Sequence, residues 1–198
     1  MKWTEYVQNN KKSLLSKLST RLSALKKVTK VSNFKTRLMI ANGIFMSKLH
    51  YMMPLWGGCE GYLLKSLQIV QNKAARAVTK QNWETPVKTL LNQCNWLSVR
   101  QLVMYHSLIL LFKVIQTKCP KYIHKKLSVG YSRETRQAET NASRIIVSKG
   151  FPLELASNSF RWRTADQWNN LPVTLRNIKN LKTFKTKLKI WIKENVPI

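Results

Sequence analysis

The stretch from Ser98 to Pro120 limits the fold more than any other part of this chain. Ser98-Val-Arg-Gln101 has capping-box spacing, in which a serine and a glutamine three residues on satisfy each other's backbone N–H groups and open a helix. The segment that follows carries Leu102, Val103, Ile109, Leu110, Phe112 and Val114 and stops before Pro120. Apolar side chains occupy most of its circumference, which predicts a central buried helix. Such a helix is stable in water only when other helices cover it. Its longest nearly uncharged run, Leu102 to Phe112, is too short to span a bilayer.

The covering elements are legible on either side. Lys11 to Lys30 predicts an amphipathic helix with a narrow stripe of Leu14, Leu18, Leu22 and Leu25, and Leu15 beside it. Lys12, Lys26 and Lys30 lie on one flank, Lys17 and Arg21 on the other. Such flanks track a phosphate backbone or form an ordinary solvated face, and for this helix alone the second is the simpler reading. Ser32-Asn33 caps a second helix through Phe34, Leu38, Ala41, Phe45 and Leu49, weakened in its middle by Asn42-Gly43. Phe45 to Arg76 reads as a helical hairpin broken at Met53-Pro54 and Gly57-Gly58. Its second arm places Leu63, Leu67, Val70, Ala74 and Val78 on one face, and Ala74 and Ala75 allow a neighbour to approach closely. Thr85-Pro86 starts a short helix through Leu90 and Leu91.

Beyond the central helix the pattern changes. From Leu127 to Gly150 periodicity fades, and Arg133, Arg136 and Arg144 stand in an irregular basic connection that either wraps phosphates or serves as a plain linker. Ile145-Ile-Val147 reads as a short strand. Asn158-Ser159 precedes a short aromatic helix, Phe160 to Trp168, that ends near Asn169-Asn170; Pro172 starts a further turn carrying Leu175 and Ile178. Thr183 is placed as the cap of a final helix whose apolar face is Phe184, Leu188 and Trp191. The expected architecture is mainly α. It comprises an irregular helical bundle over 1–126, a basic linker over 127–150 and a short C-terminal helical subdomain over 151–198.

Charge then narrows function. Lys and Arg number 35 against 8 Asp and Glu, a net charge of +27. Self-repulsion on that scale opposes compaction unless counter-charge is near, which points to a polyanionic partner. The backbone of RNA or DNA is the leading candidate. An anionic membrane surface ranks below it, and no membrane partner is expected, because the apolar faces are needed for one another. On the final helix Lys182, Lys185, Lys189 and Lys193 stack at three- and four-residue steps with Glu194 alone nearby, a pattern that suits phosphate contact or solvation equally. Arg133, Arg136 and Arg144 are the next candidates. Arg161 and Arg163 flank Trp162, which offers a ring for stacking on an unpaired base. Trp56, Trp96 and Trp168 are assigned to the core.

Catalytic signatures are missing. The chain has one aspartate, Asp166, and seven scattered glutamates, too few to converge on a pair of metal ions. Cys59, Cys94 and Cys119 are far apart, as are His50, His106 and His124, so neither a disulfide framework nor a zinc module is expected, and no cofactor. Met1 to Lys30 is lysine-rich without a continuous apolar block, which leads to an intracellular expectation, nucleus or cytoplasm.

Several motifs carry a resemblance. Tyr51-x-x-Pro54-x-Trp56-Gly57-Gly58 is followed by Leu67-Gln68-x-x-Gln71-Asn72-x-Ala74-Ala75-Arg76. Trp96-Leu97-Ser98-Val99-Arg100-Gln101, Pro120-x-Tyr122, Trp168-Asn169-x-Leu171-Pro172 and Phe184-Lys185 come after them in order. The set, spanning about residues 34 to 195, resembles the thumb-like, post-polymerase region of jockey-like non-LTR retrotransposon reverse transcriptases. The resemblance implies a parent that is an RNA-directed DNA polymerase copying RNA into DNA at a nicked target, with helices here bracing the primer–template duplex. It also adds the parent's polymerase core as a partner. The family's metal-binding Asp-Asp box has no match, so the chain is expected to be non-catalytic, and the Cys-rich module that ends some related elements is missing too. A chain beginning this close to the polymerase boundary is expected to be a truncated or decayed element copy, or a separately read frame. A helical protein-interaction module and a translated remnant without activity are the alternatives.

Overall fold

In the computed structural model of this chain, residues 3–9, 12–129, 145–146 and 159–197 are described. The fold is mainly α. Two compact units form, residues 1–102 and residues 103–197, and the division falls inside the long apolar helix. The composition boundary after residue 126 marks a change in sequence character; this one marks a change in packing.

The first unit begins with a π-helical turn, Glu5–Asn9, that packs on helix α1, Leu14–Val28. The Ser13 hydroxyl accepts the Ser16 N–H at 3.3 Å to start α1, which buries Leu14, Leu18, Leu22 and Leu25 as its stripe predicts. Asn33 caps α2, Phe34–Ile40, and α2 runs through a widened π turn, Ala41–Met46, into α3, Ser47–His50. The widening coincides with Asn42-Gly43, where helix preference is weakest.

The hairpin breaks at Gly57-Gly58 as expected, and its other break falls at Met52, one residue ahead of Met53-Pro54. Met52 takes the left-handed conformation, φ 53°, and a one-turn helix α4, Met53–Trp56, follows with Pro54 inside its first turn. Proline there removes an N–H that no helix bond needs, so it begins this turn instead of breaking one. Helix α5, Gly61–Thr79, packs against α1, and α6, Val87–Gln93, packs on α5. Leu63, Leu67, Ala74 and Val78 are buried as expected, but Val70 is half-buried and Gln71 lies fully inside.

Gln71 is tolerated there because its amide donates to the Leu97 carbonyl at 2.8 Å. Gln68 extends the clasp. It donates to Gln71 Oε1 at 3.0 Å and Asn72 Oδ1 at 2.7 Å, and its own oxygen accepts the Val99 N–H at 2.7 Å. Val99 is the first residue of α7, Val99–Thr117, so a side chain from α5 satisfies one of the unbonded donors of this helix start. The capping box supplies two more: the Ser98 N–H bonds Gln101 Oε1 at 3.0 Å and the Gln101 N–H bonds Ser98 Oγ at 3.3 Å. Trp56 and Trp96 are buried; their indole N–H groups reach the Tyr51 carbonyl at 2.8 Å and Asn42 Oδ1 at 2.9 Å.

The second unit is built on the rest of α7, where Leu108, Leu111, Phe112 and Val114 are buried. A one-and-a-half-turn helix, α8, Lys121–Lys126, follows Pro120 and was not anticipated from periodicity. Ser128–Val129 (β1) pairs antiparallel with Ile145–Ile146 (β2), Ser128 opposite Ile146 and Val129 opposite Ile145. Helix α9, Phe160–Asn169, holds β2 through one side chain: Asn169 donates to the Ile145 carbonyl and accepts the Ile145 N–H, both at 2.9 Å.

A single turn, α10, Val173–Arg176, leads to α11, Leu181–Asn195. The cap of α11 is Asn180, whose side chain accepts from Lys182 N at 2.8 Å and Thr183 N at 3.2 Å; Thr183 lies within the first turn instead of ahead of it. Phe184, Leu188 and Ile192 form the buried strip, and the bulkier Trp191 sits half-buried at its edge. Phe184 is the hub, stacked on Phe112 with ring centroids 4.3 Å apart and tilted against Trp168 at 5.9 Å.

Candidate nucleic-acid interface

The lysine ladder of α11 is not uniformly solvated. Lys182 is exposed, whereas Lys185, Lys189 and Lys193 are half-buried. Burial, and then the neighbouring Lys193, hold the Lys189 ammonium below the ordinary lysine value. Lys185 faces α7 closely enough to act on His106, whose imidazole is held below its usual value by burial first and by that lysine second. Glu194, the nearby carboxylate in sequence, is exposed. The ladder therefore runs from open solvent at Lys182 to a partly desolvated flank, where each unit of charge is felt more strongly.

Arg161, Trp162 and Arg163 are all half-buried on α9, above the buried Thr164, Ala165 and Trp168. Trp162 thus shows only part of its ring, less than a stacking platform offers. The tryptophan most open to solvent among the described residues is Trp83, 80% exposed, in the turn after α5 where Arg76 donates to its carbonyl at 3.1 Å. Arg133, Arg136 and Arg144 lie outside the described residues.

One group of cations is assembled by the tertiary fold. Arg21 on α1 donates a guanidinium N–H to the Ile44 carbonyl in the π turn. Lys48 lies one turn beyond Ile44 on the same face, with its ammonium 5.0 Å from the centroid of the exposed Tyr51 ring. Burial, then Lys17, then Arg21 hold the Lys48 ammonium below the ordinary lysine value. The Tyr6 hydroxyl adjoins: burial and then Tyr51 push it up. Lys17 and Arg21 were visible as one flank of α1, four residues apart. Nothing in sequence spacing could bring Lys48 to them, because the link is the tertiary bond from Arg21 to Ile44.

No protein-family model, curated protein or solved structure matches the chain.

Among the described residues, no group of three or more His, Cys, Asp or Glu side chains could hold a metal ion. Among the same residues no helix is long and apolar enough to cross a membrane. Cys94 is buried, and burial pushes its thiol up to about 11, so at neutral pH it is protonated and a poor nucleophile. Cys119 is exposed.

Proposed function

We propose that the chain is a non-catalytic, nucleic-acid-binding piece of a non-LTR retrotransposon reverse transcriptase. It grips the sugar–phosphate backbone of RNA or DNA and, in its parent, supports the primer–template duplex. The observation that carries this reading is the charge of +27 on a chain with folded helical units, with cations arrayed on helix faces. Backbone contacts of this kind set position and affinity with little base readout. The motif residues behind the resemblance belong to the scaffold: Trp56, Trp96 and Trp168 are buried, and Gln68, Gln71 and Asn169 join elements. Lys182 is exposed, and Lys185, Lys189 and Lys193 are half-buried along the same helix. Copying chemistry belongs, on this reading, to the polymerase core of the parent.

The test is fluorescence anisotropy with labelled duplex and single strands over a range of salt. Binding weakens steeply with salt, and replacing Lys182, Lys185, Lys189 and Lys193 with glutamine flattens the slope by about 1 for each lysine that touches a phosphate. Equal affinity at low and high salt overturns the proposal.

A second reading has its own support. Tyr51, Met52, Leu55 and Tyr62 are large, apolar and exposed within one short stretch, which suits a protein partner such as the parent's polymerase core. If that is the main role, an acidic protein displaces the chain from its partner better than DNA or RNA of matched charge.

A further inference from the structure

We infer that Lys17, Arg21 and Lys48 form a phosphodiester-binding site on the first unit, separate from the lysine ladder of α11. Two of the three cations are held by contacts, and the third shares a helix face with one of them. Lys17 and Arg21 occupy successive turns of α1, four residues apart, and so share a face. Arg21 is fixed by its bond to the Ile44 carbonyl, which uses one of the five N–H donors of the guanidinium and leaves a fork of donors over. Lys48 is fixed from the other side by the Tyr51 ring. Three positive charges on two elements are thereby set at one place, and among the described residues no carboxylate pairs with any of them.

Such a cluster is a standing cost in the unbound chain. The lowered proton affinity of Lys48 has two like charges among its causes, after burial, and this marks the repulsion. An anion that accepts hydrogen bonds on several oxygens relieves it. A phosphodiester does so with a guanidinium fork on one side and two ammonium groups on the other. Tyr51 acts as a positioning residue, because its ring face holds the Lys48 ammonium in place. The ligand is taken to be a nucleic-acid strand, which rests on the function proposed above.

The experiment compares salt dependence of binding for three forms of the full chain on a labelled random-sequence duplex. These are the unmodified chain, the double variant K17Q/K48Q, and K65Q/K73Q, which removes the same charge from two exposed lysines of α5. Far-UV circular dichroism and urea midpoints establish that both variants fold. K17Q/K48Q is expected to lower the slope of log Kd against log salt by about 2, and K65Q/K73Q by less than about half of that. Equal losses in the two variants, or no change in K17Q/K48Q while the unmodified chain binds, overturn this site and leave the proposed function standing. Failure of the unmodified chain to bind overturns both.

Discussion

Arg37 shows how a strongly basic chain can use a cation for structure. It is buried, yet its Nε donates to the Val78 carbonyl at 2.7 Å and its Nη1 to the Ser32 carbonyl at 2.6 Å. Val78 lies in the last turn of α5, whose carbonyls have no partners within the helix, and the partial negative charge there favours a guanidinium. Arg37→Leu leaves both carbonyls without this donor, so the free energy of unfolding should drop by about 2–3 kcal/mol in urea titrations. Arg37→Lys should recover only part of that loss, since an ammonium lacks the planar fork. Gly43 gives the opposite case. A methyl group added there meets nothing within 4 Å, and the π turn still carries the flexibility cost of glycine. Gly43→Ala should therefore raise stability by about 0.5–1 kcal/mol in the same assay. The weakness at Gly43 is legible in the sequence, but the open space beside it is not. In the sequence Arg37 is one of 35 Lys and Arg residues, and its partner Val78 is 41 positions away.

At the scale of elements, the pairing of α7 with α11 couples a half-buried imidazole to the lysine ladder. His106 is held below the ordinary imidazole value of 6.5, chiefly by burial and then by Lys185. The unfolded chain binds its proton near that ordinary value, while the folded chain resists protonation to lower pH. The folded state therefore carries fewer protons in the interval between. This contribution to stability is whole above about pH 6.5 and declines as pH falls below it. Urea midpoints should fall on acidification through that interval, and His106→Gln should reduce the fall. Lys185→Gln removes the like charge, so the His106 resonances should titrate at higher pH than in the unmodified chain, measured by NMR. An unchanged titration would mean that Lys185 does not reach α7 in solution.

For the chain as a whole, the excess of positive charge sets how stability responds to solvent. Repulsion among 35 cations weakens as ions screen it, over about 10 Å at 0.1 M salt. Thermal midpoints should thus rise with moderate salt. They should rise further with nucleic acid, by about 2.7 kcal/mol of stabilisation when free strand exceeds Kd a hundredfold. A neutral polymer at equal mass concentration should give no comparable rise. A chain whose midpoint is indifferent to both salt and polyanion would show that its charges are already compensated within the fold.

Local physics made much of this protein legible in its sequence. The α1 leucine stripe, the Asn33 cap, the Ser98–Gln101 box and the weakness at Asn42-Gly43 depend on residues within about one turn of each other, the range over which periodicity and capping act. The short α8, the cap at Asn180 and the reversal at Met52 escaped, because several local solutions were open and packing chose among them. The tertiary structure alone decided that Gln71 goes inside, because its acceptor at Leu97 is 26 positions away. It also decided that Asn169 clamps the Ile145 backbone, 24 positions away, and that Lys48 joins Lys17 and Arg21. A buried polar group or a gathered charge is set by the partner opposite it, and only the folded chain brings that partner near.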